Sequence, residues 1–398
     1  MVTPTRDLEA LLRSKEIVIC CGSGGVGKTS VAAALALGAA VRLDAKVLVV
    51  TVDPAKRLAT ALGLASLGNV ERRVAPEVLA AAGVETSGEL WGAMLDTKQS
   101  WDALVMRHAP DEETALRILS NRLYTNLTAR FVQSHDYIAM ERLYELHASG
   151  RYDLIVVDTP PTRNAVDFLD APERMAEFFG GRLLRWLTIP YRVGGKRGAR
   201  MVSVASRPFY QIADRLLGSR FLEEIAEFFL NFQSMYDGFV ERARAVEALL
   251  HDERSTFVVV TTLESAPLHE GERFCAELER RRFHLGAMVL NRTLPAYFLD
   301  PEAGAAATRL LDGAAEVGAA AAAVDDDLDT AQVERVTRSV ALSFSRFAGV
   351  AGLEGELRHR LRAAPDFVAD VPSRESDIAD VEGLSWIASH LFAEDSRR

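Results

Sequence analysis

Cysteine is scarce in this sequence, which contains only Cys20, Cys21 and Cys275. So few thiols exclude a disulfide framework, and no C-x-x-C pair is present to suggest a zinc site. An iron–sulfur cluster also needs more thiolates than the chain can supply. Because Cys20 and Cys21 are adjacent on a predicted strand, their side chains should point to opposite faces of a sheet. We therefore expect no site with three converging thiolates, which a soft thiophilic ion would need.

Long apolar runs are also missing. The longest, residues 31–41 and 319–324, are too short to span a bilayer, and the N-terminal region contains no signal-peptide pattern. The chain carries 46 basic and 56 acidic side chains, which gives a formal net charge of −10. A protein with this acidic balance is not expected to bind nucleic acid non-specifically. The sequence therefore predicts a cytoplasmic protein with no nucleic-acid partner, and a peripheral contact with a membrane stays open.

One motif near the start of the chain carries most of the functional information. It fits the pattern G-x-x-x-x-G-K-[ST] and comprises Gly22, Ser23, Gly24, Gly25, Val26, Gly27, Lys28 and Thr29. Residues 16–21 predict a strand before it and residues 30–41 predict a helix after it, which is the context of a phosphate-binding loop. Loop N–H groups and the positive helix end would then surround the β-phosphate. Lys28 would neutralise the β- and γ-phosphates, and Thr29 would place its hydroxyl on Mg²⁺.

Two aspartates follow later predicted strands. Residues 46–52 form an apolar strand that leads into Asp53, because Pro54 cannot extend a central strand. In open α/β sheets this carboxyl edge of the strands carries the ligand. Residues 152–158 form another strand ending in Asp158, at the Walker B position, where a carboxylate would hold Mg²⁺ through water. The structural alternatives are an Asp-Pro turn for Asp53 and a strand-end cap for Asp158.

The remaining strands predict the fold class. Residues 256–262, 285–292 and 367–371 are short apolar runs separated by helical segments. Strands alternating with helices indicate a mostly parallel sheet covered by helices on both faces. We therefore predict an α/β fold of the P-loop nucleoside triphosphatase type, organised as a single domain over residues 1–398.

Two long insertions interrupt this alternation. Residues 75–149 and 163–250 show helical periodicity and few turn signals, and we interpret them as one helical subdomain built on the sheet. The Ala-rich residues 303–328 predict a surface helix and loop. Two separate helices are predicted near residues 330–348 and 353–363. Four leucines at three- and four-residue steps indicate one helix face in the first insertion: Leu116, Leu119, Leu123 and Leu127.

Three motifs together resemble a known family. They are the loop G-S-G-G-V-G-K-T, the D-P-A of residues 53–55 and the D-T-P-P-T of residues 158–162. The combination is similar to the arsenite-transporting ATPase (ArsA) family, which includes the ATPase that targets tail-anchored membrane proteins in the guided-entry pathway. This family belongs to the deviant Walker A class of P-loop proteins. The resemblance covers nearly the whole chain and is closest to actinobacterial ArsA-like ATPases. It implies ATP and Mg²⁺ as ligands and a dimer that closes on ATP.

The resemblance also implies roles for individual residues. Asp53 would lie in switch I and position the attacking water, and residues 158–162 would form switch II. Asn291 would contact adenine, and Pro372 would lie in a loop bordering the base. Asp53 and Lys28 are thus the implied catalytic residues, and Thr29 and Asp158 the implied Mg²⁺ residues. The implied nucleotide-binding set is Gly22, Ser23, Gly24, Gly25, Val26, Gly27, Lys28, Thr29, Ser30, Asn291 and Pro372.

The sequence departs from the family pattern at two positions. Ser23 stands where relatives carry a second loop lysine, which reaches the partner's phosphates across a dimer. A cation supplied in trans is worth about 10³–10⁵ in rate, so a serine homodimer should hydrolyse ATP slowly. Arg163 replaces a glycine in switch II, and it either supplies part of the missing charge or forms a surface salt bridge.

The basic residues 192–200 are either a solvated linker or a contact for a membrane or client.

The function expected from this resemblance is Mg²⁺-dependent ATP hydrolysis that couples a dimer switch to an apolar or membrane-protein client. Aromatic and apolar residues in 175–187, 209–210 and 221–232 either line a client groove or form the subdomain core. The alternative function is a weakly active regulatory subunit of a heterodimer with a lysine-bearing paralogue. No arsenite or zinc site is expected, because the thiols are too few and misplaced.

Overall fold

The computed structural model describes residues 7–52, 57–121, 124, 132–159, 228, 236–325, 328–361 and 363–393. Several predictions lie outside these ranges and stay predictions. They concern Asp53, Arg163, residues 192–200, Leu123, Leu127 and almost all of the aromatic segments of the second insertion.

Eight strands of the described residues form one sheet. They are β1 (Ile17–Cys21), β2 (Lys46–Thr51), β3 (Arg72–Arg73), β4 (Glu89–Met94), β5 (Leu154–Asp158), β6 (Ser255–Thr261), β7 (Leu285–Thr293) and β8 (Phe367–Pro372). Their order is β3-β4-β2-β5-β1-β6-β7-β8. All neighbours are parallel except the short antiparallel pair β3–β4. The predicted α/β class with a mostly parallel sheet is confirmed.

Helices follow the strands in sequence and cover both faces of the sheet. They are α1 (Leu8–Arg13), α2 (Lys28–Leu43), α3 (Arg57–Ala61), α4 (Pro76–Ala81), α5 (Thr97–His108), α6 (Glu112–Ser120), α7 (Val132–Ala148), α8 (Tyr236–His251), α9 (Ser265–Arg280), α10 (Pro301–Asp312), α11 (Ala314–Val324), α12 (Thr330–His359) and α13 (Val381–Leu391), with a 3₁₀ turn at Ala296–Leu299. Within the described ranges, none of these helices is both long and apolar enough to cross a membrane.

The sheet separates two apolar cores because its strands are buried on both faces. On one face, α1, α2 and α13 pack over Val18 and Cys20 of β1. On the other, α5 to α9 pack over Ile17, Ile19 and Cys21. Helix α2 is buried along almost its whole length, and alanine at six positions lets it approach the strands closely.

The sequence interpretation was wrong for one segment of the first insertion. Residues 75–149 were expected to be helical, but Glu89–Met94 forms β4 and pairs with β2 along its full length. This pairing joins residues more than forty positions apart, so local periodicity could not reveal it. The expected leucine face does not continue as one helix from Leu116, because α6 ends at Ser120 and Leu116 is 54% exposed. The division into a sheet domain and a helical subdomain stays a prediction.

A second correction concerns the C-terminal helices. Residues 330–348 and 353–363 were expected to form two helices, but α12 runs without a break from Thr330 to His359. Each glycine inside a helix destabilises it by about 1 kcal/mol but does not break it. Two side-chain contacts hold the C-terminal end of α12 in place. Glu354 accepts a hydrogen bond from the Leu294 N–H at 2.9 Å, and Arg358 pairs with Asp370 at 2.5 Å.

A buried ion pair joins α7 to α8. The Arg242 Nε lies 2.5 Å from Oε1 of Glu141, and their side chains are only 15% and 3% exposed. Arg242 also donates through Nη1 to Nδ1 of His108 at 3.2 Å, so His108 accepts this bond as a neutral imidazole. Burial and the nearby Arg242 lower the pKa of His108 to about 4. The pair therefore fixes the packing of three helices around one guanidinium group.

We predict that Glu141→Leu lowers the free energy of unfolding by about 3–5 kcal/mol, because it leaves the Arg242 guanidinium buried without its carboxylate. Adding Arg242→Met should recover most of the loss, since an apolar pair then fills the same space. Urea unfolding followed by circular dichroism measures both changes. The matched control is Glu356→Leu in an exposed pair with Arg360, where less than about 1 kcal/mol is expected. A double variant as unstable as Glu141→Leu alone would contradict the prediction.

Candidate nucleotide site

Glycines shape the loop between β1 and α2. Gly22 and Gly27 have φ values of 152° and 90°, in a region that side chains disfavour. A Cβ at Gly22 would lie 2.1 Å from the Val260 carbonyl oxygen, and one at Gly27 would lie 2.3 Å from Nδ2 of Asn291. Both positions therefore require glycine for conformation and for space. The backbone of this loop lies close to β6 and β7 as well as to its own strand.

The first turn of α2 faces the same loop. Gly27 is the N-cap residue and no side chain caps the helix there, so the helix start is suited to receive an anion. Lys28 turns back across the loop, and its Nζ donates to the Ser23 carbonyl oxygen at 3.0 Å. Its side chain is buried, with 6% exposed. A phosphate oxygen is a stronger acceptor for this ammonium group than a backbone carbonyl.

Asp158 lies at the carboxyl end of β5 and is 1% exposed. Its Oδ2 accepts hydrogen bonds from the Thr29 hydroxyl at 2.7 Å and the Thr51 hydroxyl at 2.9 Å. Thr29 comes from the loop helix and Thr51 from β2, so one carboxylate oxygen joins three elements. A carboxylate beside a hydroxyl is a donor set that suits Mg²⁺, which prefers oxygen ligands and keeps several waters. Thr29 and Asp158, predicted as the Mg²⁺ residues, are thus brought together.

The three cysteines do not converge. Cys20 belongs to one core, whereas Cys21 and Cys275 belong to the other, which confirms that the adjacent thiols point to opposite faces. Burial raises the pKa of Cys21 and of Cys275 to about 12 and that of Cys20 well above its usual value. All three are therefore protonated thiols near neutral pH, and each would have to lose its proton inside an apolar core to bind a metal ion.

Asn291 contacts the loop in the structure. Its Nδ2 donates to the Val26 carbonyl oxygen at 2.7 Å, and its side chain is buried. The adenine contact implied by the family resemblance stays a prediction. Pro372 ends β8 opposite Thr293, and the next residue, Ser373, donates its N–H to the Thr293 carbonyl at 2.8 Å. Pro372 therefore lies at the end of β7, one pair beyond Val371, which pairs with Asn291, and its contact with the base stays a prediction.

A cavity of about 440 Å³ opens over the loop. Its lining consists of Gly25, Gly27, Lys28, Thr29, Ser30, Arg57, Thr60, Ala61, Thr159, Arg292, Ile378 and Ala379. Five of these residues belong to the predicted nucleotide-binding set. Ser23 belongs to the loop, and its hydroxyl oxygen is buried with no hydrogen-bond partner among the described residues.

Sequence reasoning missed several residues of the cavity. Arg57 begins α3, and Arg292 follows Asn291 with a φ of 59°, in the left-handed region. Ile378 and Ala379 come from the segment between β8 and α13. Arg57 stands four positions after Asp53 and Arg292 directly after Asn291, so proximity to a predicted site residue was the available signal. Thr51 carried a similar signal, two residues before Asp53.

Comparison with known proteins agrees with the family resemblance of the sequence. Residues 15–307 match the family described as anion-transporting ATPase. The chain is 23% identical to the ATPase ASNA1 homolog of Entamoeba dispar, over 74% of this chain and 82% of that protein. It is 23% identical to the ATPase get3 of Aspergillus terreus and 24% identical to the ATPase GET3 of Malassezia globosa, in both cases over 72% of this chain and 76% of the relative. The family match includes the loop, Asp158 and Asn291.

We predict that Asn291→Ala weakens the binding of ATP and of GTP by the same factor of about ten, because losing one hydrogen bond to a buried carbonyl costs about 1–2 kcal/mol. The bond lies between two protein groups, so its loss loosens the loop for any nucleoside triphosphate. Isothermal titration calorimetry with both nucleotides measures the effect. Asn69→Ala is the control, because Asn69 holds Asp96 and Ser100 at the edge of the sheet. A loss confined to ATP would show that the Asn291 amide contacts the base instead.

Proposed function

Because the chain belongs to the anion-transporting ATPase family, we propose that it binds ATP with Mg²⁺ and hydrolyses the terminal phosphate. The observation that carries this proposal is the hydrogen bond from Thr29 of the loop to Asp158 of β5, 2.7 Å long. It supports the proposal because a hydroxyl and a carboxylate are oxygen donors that suit Mg²⁺, and Thr29 lines the same cavity as Lys28.

Each residue has a defined part in this proposal. The loop N–H groups and the start of α2 bind the phosphates, and Lys28 exchanges the Ser23 carbonyl for phosphate oxygens. The Thr29 hydroxyl and the Asp158 carboxylate hold Mg²⁺, the latter through water. When bound, Mg²⁺ neutralises charge that develops on the phosphate oxygens. The hydrogen bond from Thr51 keeps the Asp158 carboxylate in one orientation when the nucleotide binds and when it leaves.

The proposed role of Asp53 is to orient the attacking water. Asp53 follows β2, and Thr51 two residues earlier shares Oδ2 of Asp158 at 2.9 Å. The carboxyl ends of β2 and β5 are neighbours in the sheet. Support for the role therefore comes from the described end of β2, where the Val52 N–H donates to the Asp158 carbonyl oxygen at 3.4 Å.

We further propose that nucleotide binding drives a dimer switch coupled to an apolar or membrane-protein client. Two features support this. The relatives named above are ATPases of the same family, and the second insertion, residues 163–250, begins four positions in sequence after Thr159, which lines the cavity. The alternative is a regulatory subunit with little turnover that pairs with a lysine-bearing paralogue. Ser23 favours that alternative, because a hydroxyl cannot supply the charge of a second loop lysine.

We predict that Lys28→Ala weakens ATP binding at least about tenfold, because a hydrogen bond to a charged group contributes about 1.5–3 kcal/mol. ATP turnover should fall about 100-fold or more, since removing one positioned donor typically costs that much. Phosphate release and calorimetry measure the two effects. Lys98→Ala is the matched control, because Lys98 lies on the exposed face of α5. A wild-type chain that binds ATP without turning it over would support the regulatory alternative, and one that binds no ATP would refute the proposal.

A further inference from the structure

We propose that Arg57 is a second catalytic cation of the phosphate site, supplied by the same chain that supplies Lys28. The inference rests on the proposed ATPase function and specifies how one chain stabilises the charge of the transferred phosphate. In this assignment, the Arg57 guanidinium contacts the terminal phosphate during hydrolysis. Arg292 binds the nucleotide from the other side and contributes to affinity.

The first observation is the charge of the cavity. Among the described residues, its lining contains three cationic side chains, Lys28, Arg57 and Arg292, and no carboxylate. The chain as a whole has a net charge of −10, so three cationic side chains on one cavity differ from the average surface. Such a lining fits a ligand with several negative charges, as a nucleoside triphosphate has.

The second observation is the direction from which each guanidinium arrives. β1 lies in the middle of the sheet, with β5 and β2 on one side and β6, β7 and β8 on the other. Arg57 follows β2, the strand whose Thr51 shares the Asp158 carboxylate. Arg292 belongs to β7, beside Asn291. Arg57 therefore reaches the cavity from the Mg²⁺ side and Arg292 from the opposite side.

The third observation is that Arg57 is held at its base and available at its tip. The next residues of α3, Leu58 and Ala59, are buried at 0% and 5% exposure, which fixes the backbone of the helix. The Arg57 side chain is exposed and forms no ion pair or hydrogen bond with the described residues. Binding an anion would therefore break no contact that this guanidinium makes with the described residues. A fixed base with an available planar donor group favours bidentate contact with phosphate oxygens.

The reaction gains from a cation at this position. Hydrolysis forms a bond between the water oxygen and the γ-phosphorus and breaks the bond from that phosphorus to the β,γ-bridging oxygen, whose electron pair stays on ADP. One water proton remains on inorganic phosphate and the other goes to solvent. Negative charge spreads over the γ-oxygens and the bridging oxygen as this happens, and a guanidinium there stabilises it. Ser23 offers no charge at the loop, so Lys28 and Arg57 share this task.

The test compares full-length Arg57→Ala, Arg57→Lys and Arg292→Ala, with Arg72→Ala on the exposed strand β3 as the matched control. We expect Arg57→Ala to lower kcat about 100-fold and to change the Kd for ATP by less than about tenfold. Guanidinium ion at millimolar concentration should restore part of the lost turnover, because it can occupy the space of the deleted group. Arg292→Ala should raise KM with little change in kcat.

A mixing experiment tests whether Arg57 acts within its own chain. Arg57→Ala and Lys28→Ala chains are combined and assayed for turnover. If both residues serve the same chain's site, every site in the mixture is defective and turnover stays at the level of the separate variants. Recovery on mixing would overturn the assignment, because it requires Arg57 to act on a partner's nucleotide.

The experiments distinguish a failure of this inference from a failure of the proposed function. Wild-type turnover that is unaffected by Arg57→Ala overturns the inference alone, as does a loss in Arg57→Ala that appears only in ATP affinity. A wild-type chain that neither binds nor hydrolyses ATP overturns the proposed function, whatever the variants do.

Discussion

The carboxylate of Asp158 is the constraint on which the rest of the site depends. It is almost fully buried, and a buried carboxylate is stable only where polar partners replace water. Two hydroxyls on one of its oxygens provide that replacement, and each belongs to a different element. The loop helix, β2 and β5 are thereby held in one relative position. Any ligand that recruits this carboxylate changes contacts in all three elements together.

Asn291 constrains the loop from the other side of β1. Its bond to the Val26 carbonyl is 2.7 Å long, and its amide occupies the space that a side chain at Gly27 would need. The loop is therefore held between β5 on one side and β7 on the other. Because α2 is buried along nearly its whole length, the residues that face the phosphates stand on a rigid support. The flanking residues Arg57 and Arg292 are the exposed part of the same cavity.

Much of this arrangement was predictable from local sequence patterns. The glycine loop, the apolar runs and the aspartate ending β5 are short-range signals, and the structure brings the Lys28, Thr29 and Asp158 that they singled out to one loop. The strand β4 was missed because its partner β2 is distant in sequence, and continuous α12 was missed because its anchors are long-range contacts of Glu354 and Arg358. Arg57 and Arg292 have no distinctive local pattern. Their meeting at one cavity follows from the strand order, which no local pattern encodes.

The placement of the three native thiols has a practical consequence for spectroscopy. Each is buried in an apolar core and protonated near neutral pH, so thiol reagents find no reactive native cysteine while the chain is folded. A cysteine introduced on an exposed helix would be the site that a fluorophore or spin label reacts with. The native residues can therefore stay in place, and pairs of labels on opposite sides of the sheet can measure distances as ligand binds. The same property makes thiol accessibility a direct measure of unfolding.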